Sequence, residues 1–284
     1  MNHNPVKSAI RQFGLPRIII VGFFIFLVIA AGGFQMNLMQ LLSDCVRRWG
    51  MFGILTLAMV PAVQCGIGLN FGISMGIVGG LLGGLIVIEL DVARIPALVA
   101  VGPMFGMWVS VLVAILIGVV LATGIGYLYG LLLNQVKGSE MTVTTYVGFS
   151  IIAFMNMLWM LLPFQNGELK WPNAGKGLRN TISLSTSFSG VMNDTLSFKI
   201  GNFTVPTGLL LFMFFMCLLV WLFMKSKTGM AMSAAGSNPM FAKAAGINVN
   251  RMRLVGTTLS TVLAAVGIIV YAQGFGFMQL YNGP

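Results

Sequence analysis

Apolar residues run along this chain in blocks of roughly twenty, with polar punctuation between them. About 20 residues of helix cross the ~30 Å hydrocarbon layer of a bilayer, and seven blocks reach or approach that length. They predict spans at 17–35, 49–65, 71–90, 106–133, 142–162, 206–224 and 254–275, with a short amphipathic piece at 37–48 leading into the second. The last nine residues, 276–284, are too few to cross. The fold class is therefore all-α: a polytopic transmembrane helical bundle, read as one transmembrane domain over 1–284.

Glycine interrupts this pattern in two ways. Gly68, Gly72, Gly76, Gly80 and Gly84 recur every fourth residue with Gly79 and Gly83 beside them, and Gly118, Ala122, Gly126 and Gly130 repeat the spacing in the fourth span. Residues four apart share a helix face, and small residues there let a second helix approach to backbone contact. The run from Cys65 to Ser74 is different, because Gly66, Gly68, Asn70, Gly72 and Ser74 crowd between two apolar spans. Glycine costs a helix about 1 kcal/mol relative to alanine, so regular helix should break here. Two readings stay open: a tight turn at the inner surface, or a broken, pathway-lining element. Discontinuous segments of the second kind build solute sites in transporters.

Composition agrees with a membrane protein: 57% of residues are hydrophobic and only 8% charged, against roughly 25% charged in soluble domains. The net charge of +10 would suit nucleic acid in a soluble protein, but these cations cap apolar blocks and form no basic stripe, so nucleic acid is excluded as a partner. Their placement fixes an orientation through the excess of Lys and Arg on the cytoplasmic side. Lys7, Arg11 and Arg17 put the N-terminus inside. Lys225, Lys227, Lys243, Arg251 and Arg253 do the same for 225–253, and the 163–205 loop then lies outside. Arg47 and Arg48 fall outside against the rule. The single His3 and the three cysteines offer no metal set and no CxxC pair.

Within 225–253, Asn238 suits an N-cap and Pro239 the first helical position. Gly246 suits a stop. The predicted helix, 239–245, carries Phe241, Ala244 and Ala245 on one face. Two turns of helix are unstable alone in water, so that face should dock, either on the protein's own helix ends or in a groove on another chain.

Gly236, Asn238, Pro239, Ala242, Gly246, Ile247 and Arg251 together resemble the inner loop of ABC importer permeases for ribose, xylose and galactose. Their superfamily also holds nucleoside and branched-chain amino acid permeases. The stretch 37–74 is similar to the same family's Asn-Leu-x-x-Leu-Leu and Gly-Ile-Asp-Leu-Ser motifs, except that Gly68 and Asn70 stand where sugar permeases carry Asp and Ser. The resemblance implies a non-catalytic transmembrane subunit of a bacterial inner (plasma) membrane importer. It implies that Gly236, Asn238, Pro239, Phe241, Ala244, Ala245, Gly246 and Ile247 couple to an ABC ATPase subunit. It also implies a second permease subunit, an extracytoplasmic solute-binding protein, and ATP with Mg held by the partner ATPase, none of them cofactors of this chain. Full-length members have 8–10 spans, so either more sequence follows Pro284 or the member is a shortened one. The chain itself has no P-loop. Its acids, Glu89, Asp91 and Glu140 among them, fall at the ends of spans, which leaves no mid-membrane ion relay. A stand-alone channel and a membrane enzyme are the competing classes.

Overall fold

A computed structural model describes residues 15–68, 71–170 and 177–281. The chain divides into two compact units, 1–46 with 198–205, and 47–197 with 206–284. The first contains α1 (Leu15–Gly33) and the beginning of α2 (Leu38–Leu57). It also holds an antiparallel hairpin of β2 (Phe198–Ile200) and β3 (Phe203–Val205). Ser43 Oγ donates to the Thr204 carbonyl. From Ile18 to Ile29 the large apolar side chains of α1 are exposed, as suits a helix bathed in hydrocarbon.

The second unit carries the remaining helices. They are α3 (Met59–Gln64), α4 (Ser74–Glu89), α5 (Pro96–Val99), α6 (Pro103–Gln135), α7 (Glu140–Leu158), α8 (Val191–Asp194), α9 (Thr207–Lys225), α10 (Lys227–Ser237), α11 (Pro239–Ala244) and α12 (Val249–Phe275). Seven stretches are long and apolar enough to span a bilayer: Pro16–Gly33, Leu38–Gln64, Phe71–Arg94, Met104–Gln135, Glu140–Leu158, Thr207–Lys225 and Val249–Phe275.

The amphipathic piece expected at 37–48 is not separate from the second span. It is the first half of α2, because nothing between Arg48 and Leu57 interrupts the backbone bonds. The break comes at Ala58, where Pro61 lacks the N–H that would bond Leu57 and its ring crowds that carbonyl. The 163–205 loop is not unstructured either. Its β1 (Thr181–Ser183) pairs antiparallel with β4 (Phe277–Gln279), Ile182 opposite Met278, so the residues just after the last span close a small sheet. Arg48 holds its guanidinium 5.9 Å from the centre of the Phe275 ring.

The core of this unit is α4 between α6 and α12, and the glycine ladder explains how tightly they meet. A Cβ on Gly80 would lie 2.5 Å from the Ala265 carbonyl oxygen of α12; one on Gly83 would lie 2.6 Å from the Gly118 nitrogen of α6. Gly76 and Gly80 thus admit α12, and Gly79 and Gly83 admit α6. Leu85, Ala114, Ala264 and Val270 fill the remaining space with no exposed surface.

Candidate functional site

One end of the second unit is built from two segments that the sequence pattern marked separately. The first is the break after α3. Gln64 is the last helical residue and Cys65 caps it. Gly66 (φ +80°) then turns left-handed, with Gly66 N–H on the Val63 carbonyl at 3.1 Å and Ile67 N–H on the Ala62 carbonyl at 3.3 Å. This is the six-to-one, five-to-two closure that a glycine permits and a side chain strains. Gly68 is also left-handed (φ +86°). Asn70 lies outside the described residues. Gly72, in a 3-10 turn over Phe71–Ile73, is buried against the Tyr129 ring. Ser74 opens α4, buried, with its hydroxyl 3.4 Å from the Gly148 carbonyl of α7.

The second segment runs from α10 to α12. Helix α10 has no counterpart in the sequence reading, because Gly229 and Gly236 depress its helical signal. It forms because Ser226 Oγ caps it, accepting from Gly229 N–H at 3.2 Å. Helix α11 begins as the sequence suggests: Asn238 Oδ1 accepts from Phe241 N–H at 3.0 Å, and Pro239 occupies the first turn. It stops at Gly246 (φ +79°), with Gly246 N–H on the Lys243 carbonyl and Ile247 N–H on the Ala242 carbonyl. Such a cap is worth about 1 kcal/mol. Asn238→Ala is therefore expected to raise amide exchange in 239–245 about fivefold, measured by hydrogen–deuterium exchange of the purified protein.

The side of α11 that packs on this chain is not the Phe241 face. Ala242 is fully buried and joins Ala235 and Val249 in a small cluster, with Ile247 and Met252 beside it. Met240 stays 81% and Phe241 66% exposed, and Ala244, Ala245 and Gly246 are exposed with them. Pinned from behind, the helix presents its apolar face outward.

The two segments touch. The Gly236 Cα would lie 2.8 Å from a Cβ on Gly66, and a Cβ on Gly236 would lie 2.7 Å from Gly66 N. Ser233 Oγ adds a hydrogen bond to Gln64 Oε1 at 2.9 Å. So Gly236 and Gly66 form one joint, a pairing that no local sequence signal could reveal.

Above this joint are two adjoining cavities, of about 390 Å³ and about 150 Å³. Both are walled by Phe52 and Leu55 of α2, Ile77 of α4 and Ile152 of α7. Ser74 and Thr145 line the larger; Asn156, Tyr271 and Gln279 line the smaller. Asn156 Oδ1 is buried with no hydrogen-bond partner among the described residues. Of the described residues marked in the broken segment, Ser74 lines a cavity, whereas Gly66, Gly68 and Gly72 shape turns and close packing.

The sequence places Glu140 at the end of a span, and it is the first residue of α7, but it is not free in solvent. Its Oε1 lies 2.6 Å from Arg253 Nη2, and the two side chains keep only 15% and 10% of their surface. Glu140 Oε2 also accepts from Gly138 N–H at 2.8 Å. Two residues at the starts of helices distant in sequence carry no mark of their pairing.

A helical bundle with seven bilayer-length segments and a short helix whose apolar face is exposed defines a multi-pass membrane protein. Residues 13–284 match the family described as the branched-chain amino acid transport system / permease component, and the chain belongs to it. It is similar to the nucleoside ABC transporter permease protein NupB of Lactococcus lactis subsp. cremoris, 27% identical over 165 residues, 58% of this chain and 43% of that one. An uncharacterized protein of Mycoplasma pneumoniae is 27% identical over 187 residues, 60% of this chain and 54% of that one. The probable ABC transporter permease protein YphD of Escherichia coli is 36% identical over 112 residues, 38% and 33% of the respective chains. The matched stretches thus cover between 33% and 54% of these relatives' lengths. No solved structure matches.

Proposed function

We propose that this chain is the membrane-spanning, non-catalytic subunit of a binding-protein-dependent importer, driven by ATP hydrolysis on a partner ABC ATPase. The observation that carries this is α11: a short helix capped at both ends, anchored through Ala242, with Met240 and Phe241 exposed. An exposed aromatic on a rigid helix is the form of a hot spot awaiting a groove. A stand-alone channel would need no such element. The coupling set is Gly236, Asn238, Pro239, Phe241, Ala244, Ala245, Gly246 and Ile247, with Phe241 as its anchor. The Gly66–Ser74 break stands at the inner mouth of the pathway.

The same reading supplies a second permease subunit, an extracytoplasmic solute-binding protein, and Mg-ATP bound only by the ATPase. The complex sits in a bacterial inner membrane with the N-terminus of this chain inside. The solute is small and polar, a monosaccharide by the motifs around Gly236–Arg251. A nucleoside is the second reading, favoured by the similarity to NupB and by Gly68 and Asn70 replacing the sugar-permease Asp and Ser.

The test is reconstitution in proteoliposomes with the ATPase and binding protein encoded beside this chain, assayed with radiolabelled ribose and radiolabelled adenosine. Uptake of one of them that requires ATP and Mg is expected. Movement of either probe by this chain with no ATPase present would overturn the reading.

A further inference from the structure

Helix α7 walls both cavities yet buries little of its surface, and three points hold it. Its inner end is tied by Glu140 to Arg253 at 2.6 Å. Its middle rests on the broken segment, where Gly148 is so close to Phe71 that a Cβ would lie 2.7 Å from that carbonyl oxygen. At its outer end Trp159 Nε1 donates to the Leu280 carbonyl at 3.2 Å, just beyond β4. Only the first tie is ionic, and it leads straight to the docking helix. Arg253 stands in the first turns of α12, and α12 follows α11 after four residues. Asn248 caps α12, its Oδ1 accepting from Arg251 N–H at 3.1 Å. Lys137 Nζ and Asn134 Nδ2 both donate to Asn250, so the α6–α7 turn is fastened to the same helix start.

Resting on the importer reading above, we infer that the Arg253–Glu140 pair is the link through which displacement of the docking segment reaches α7 and thereby the wall of the two cavities. A nearly buried ion pair is a poor source of net stability, since desolvation offsets most of the attraction. What it supplies is a strong, directional tie: moving one charge away from the other in a low-dielectric setting is opposed far more steeply than parting two apolar side chains. The tie runs through one nitrogen: Arg253 Nη2 donates to Glu140 Oε1 and also to the Leu133 carbonyl of α6 at 3.4 Å, while Arg253 Nε is buried without a hydrogen-bond partner among the described residues. Arg253 and Glu140 are positioning residues, touching neither solute nor nucleotide.

The test reads α7 directly. In the assembled complex with its ATPase, with Cys45, Cys65 and Cys217 replaced by alanine, Thr145→Cys places a thiol on the cavity wall for labelling by a water-soluble maleimide. Adding ATP and Mg is expected to change the labelling rate at least threefold. The double variant Arg253→Ala with Glu140→Ala removes the link and leaves no unpaired buried charge. It should hold the ATPase and hydrolyse ATP as before while losing the nucleotide effect on labelling. The reversed pair, Arg253→Glu with Glu140→Arg, should restore that effect. A nucleotide effect that persists in the double alanine variant would overturn the inference, as would its absence in the unaltered pair. If no ATPase binds the unaltered chain, the importer reading itself fails, a result distinct from either.

Discussion

Phe241→Asp is expected to abolish ATP-driven uptake while leaving the chain in the membrane at its normal level. Phe241 stays 66% exposed and lies outside the buried cluster of α11, whose contact is made by Ala242. In the function proposed above, the exposed Phe241 ring inserts into a groove on the ATPase. Truncating an aromatic anchor of that kind costs about 2–4 kcal/mol, and a carboxylate must also be desolvated to enter an apolar groove. ATPase binding should therefore weaken by at least about 30-fold. Co-purification of the ATPase with tagged permease, followed by uptake in proteoliposomes, checks it. Unchanged co-purification and unchanged uptake would remove the coupling role from α11. Ala242→Asp, by contrast, should lower the level of the permease itself, because it strikes the buried cluster with Ala235 and Val249.

The second large effect lies in the core. Gly83→Leu should reduce the amount of folded protein in the membrane more than tenfold. A Cβ on Gly83 would lie 2.6 Å from the Gly118 nitrogen and 2.7 Å from the Ala114 carbonyl oxygen. Those are backbone atoms of α6, which cannot move aside as a side-chain tip can. Overpacking against flexible neighbours costs about 1–3 kcal/mol; here α4 and α6 must separate along their length, against a total stability of about 5–15 kcal/mol. Gly124→Leu on α6 is the matched control, since no heavy atom stands within 4 Å of its Cβ position. Detergent-stable yield measured by fluorescence-detected size exclusion should fall for the first and hold for the second.

These two predictions also mark what was readable from residues alone. The bilayer-length spans came from hydropathy, which depends only on local composition, and all seven are present. Helix α11 was legible because Asn238, Pro239 and Gly246 are local signals, each acting within four residues. The direction of its burial was not: Phe241, Ala244 and Ala245 form an apolar stripe at helical spacing, but a stripe says which residues face together, not whether they face in or out. Helix α10 was missed because its glycines, needed for close packing at Gly229 and Gly236, mimic a loop. The Arg253–Glu140 pair was missed because its partners lie far apart in the chain, and a charge at a helix start reads as solvated until its neighbours are known. Strand β4 was missed for the same reason, since three residues become a strand only beside Thr181–Ser183.

The contact between Gly66 and Gly236 limits what can ever stand at these two positions. Each is already the smallest residue, so enlargement of one cannot be offset by shrinking the other. Gly66 is further confined by its left-handed backbone. Sequence drift here has no neutral route: a methyl group on either side would part the inner turn from the segment that carries α11, however well both were otherwise formed.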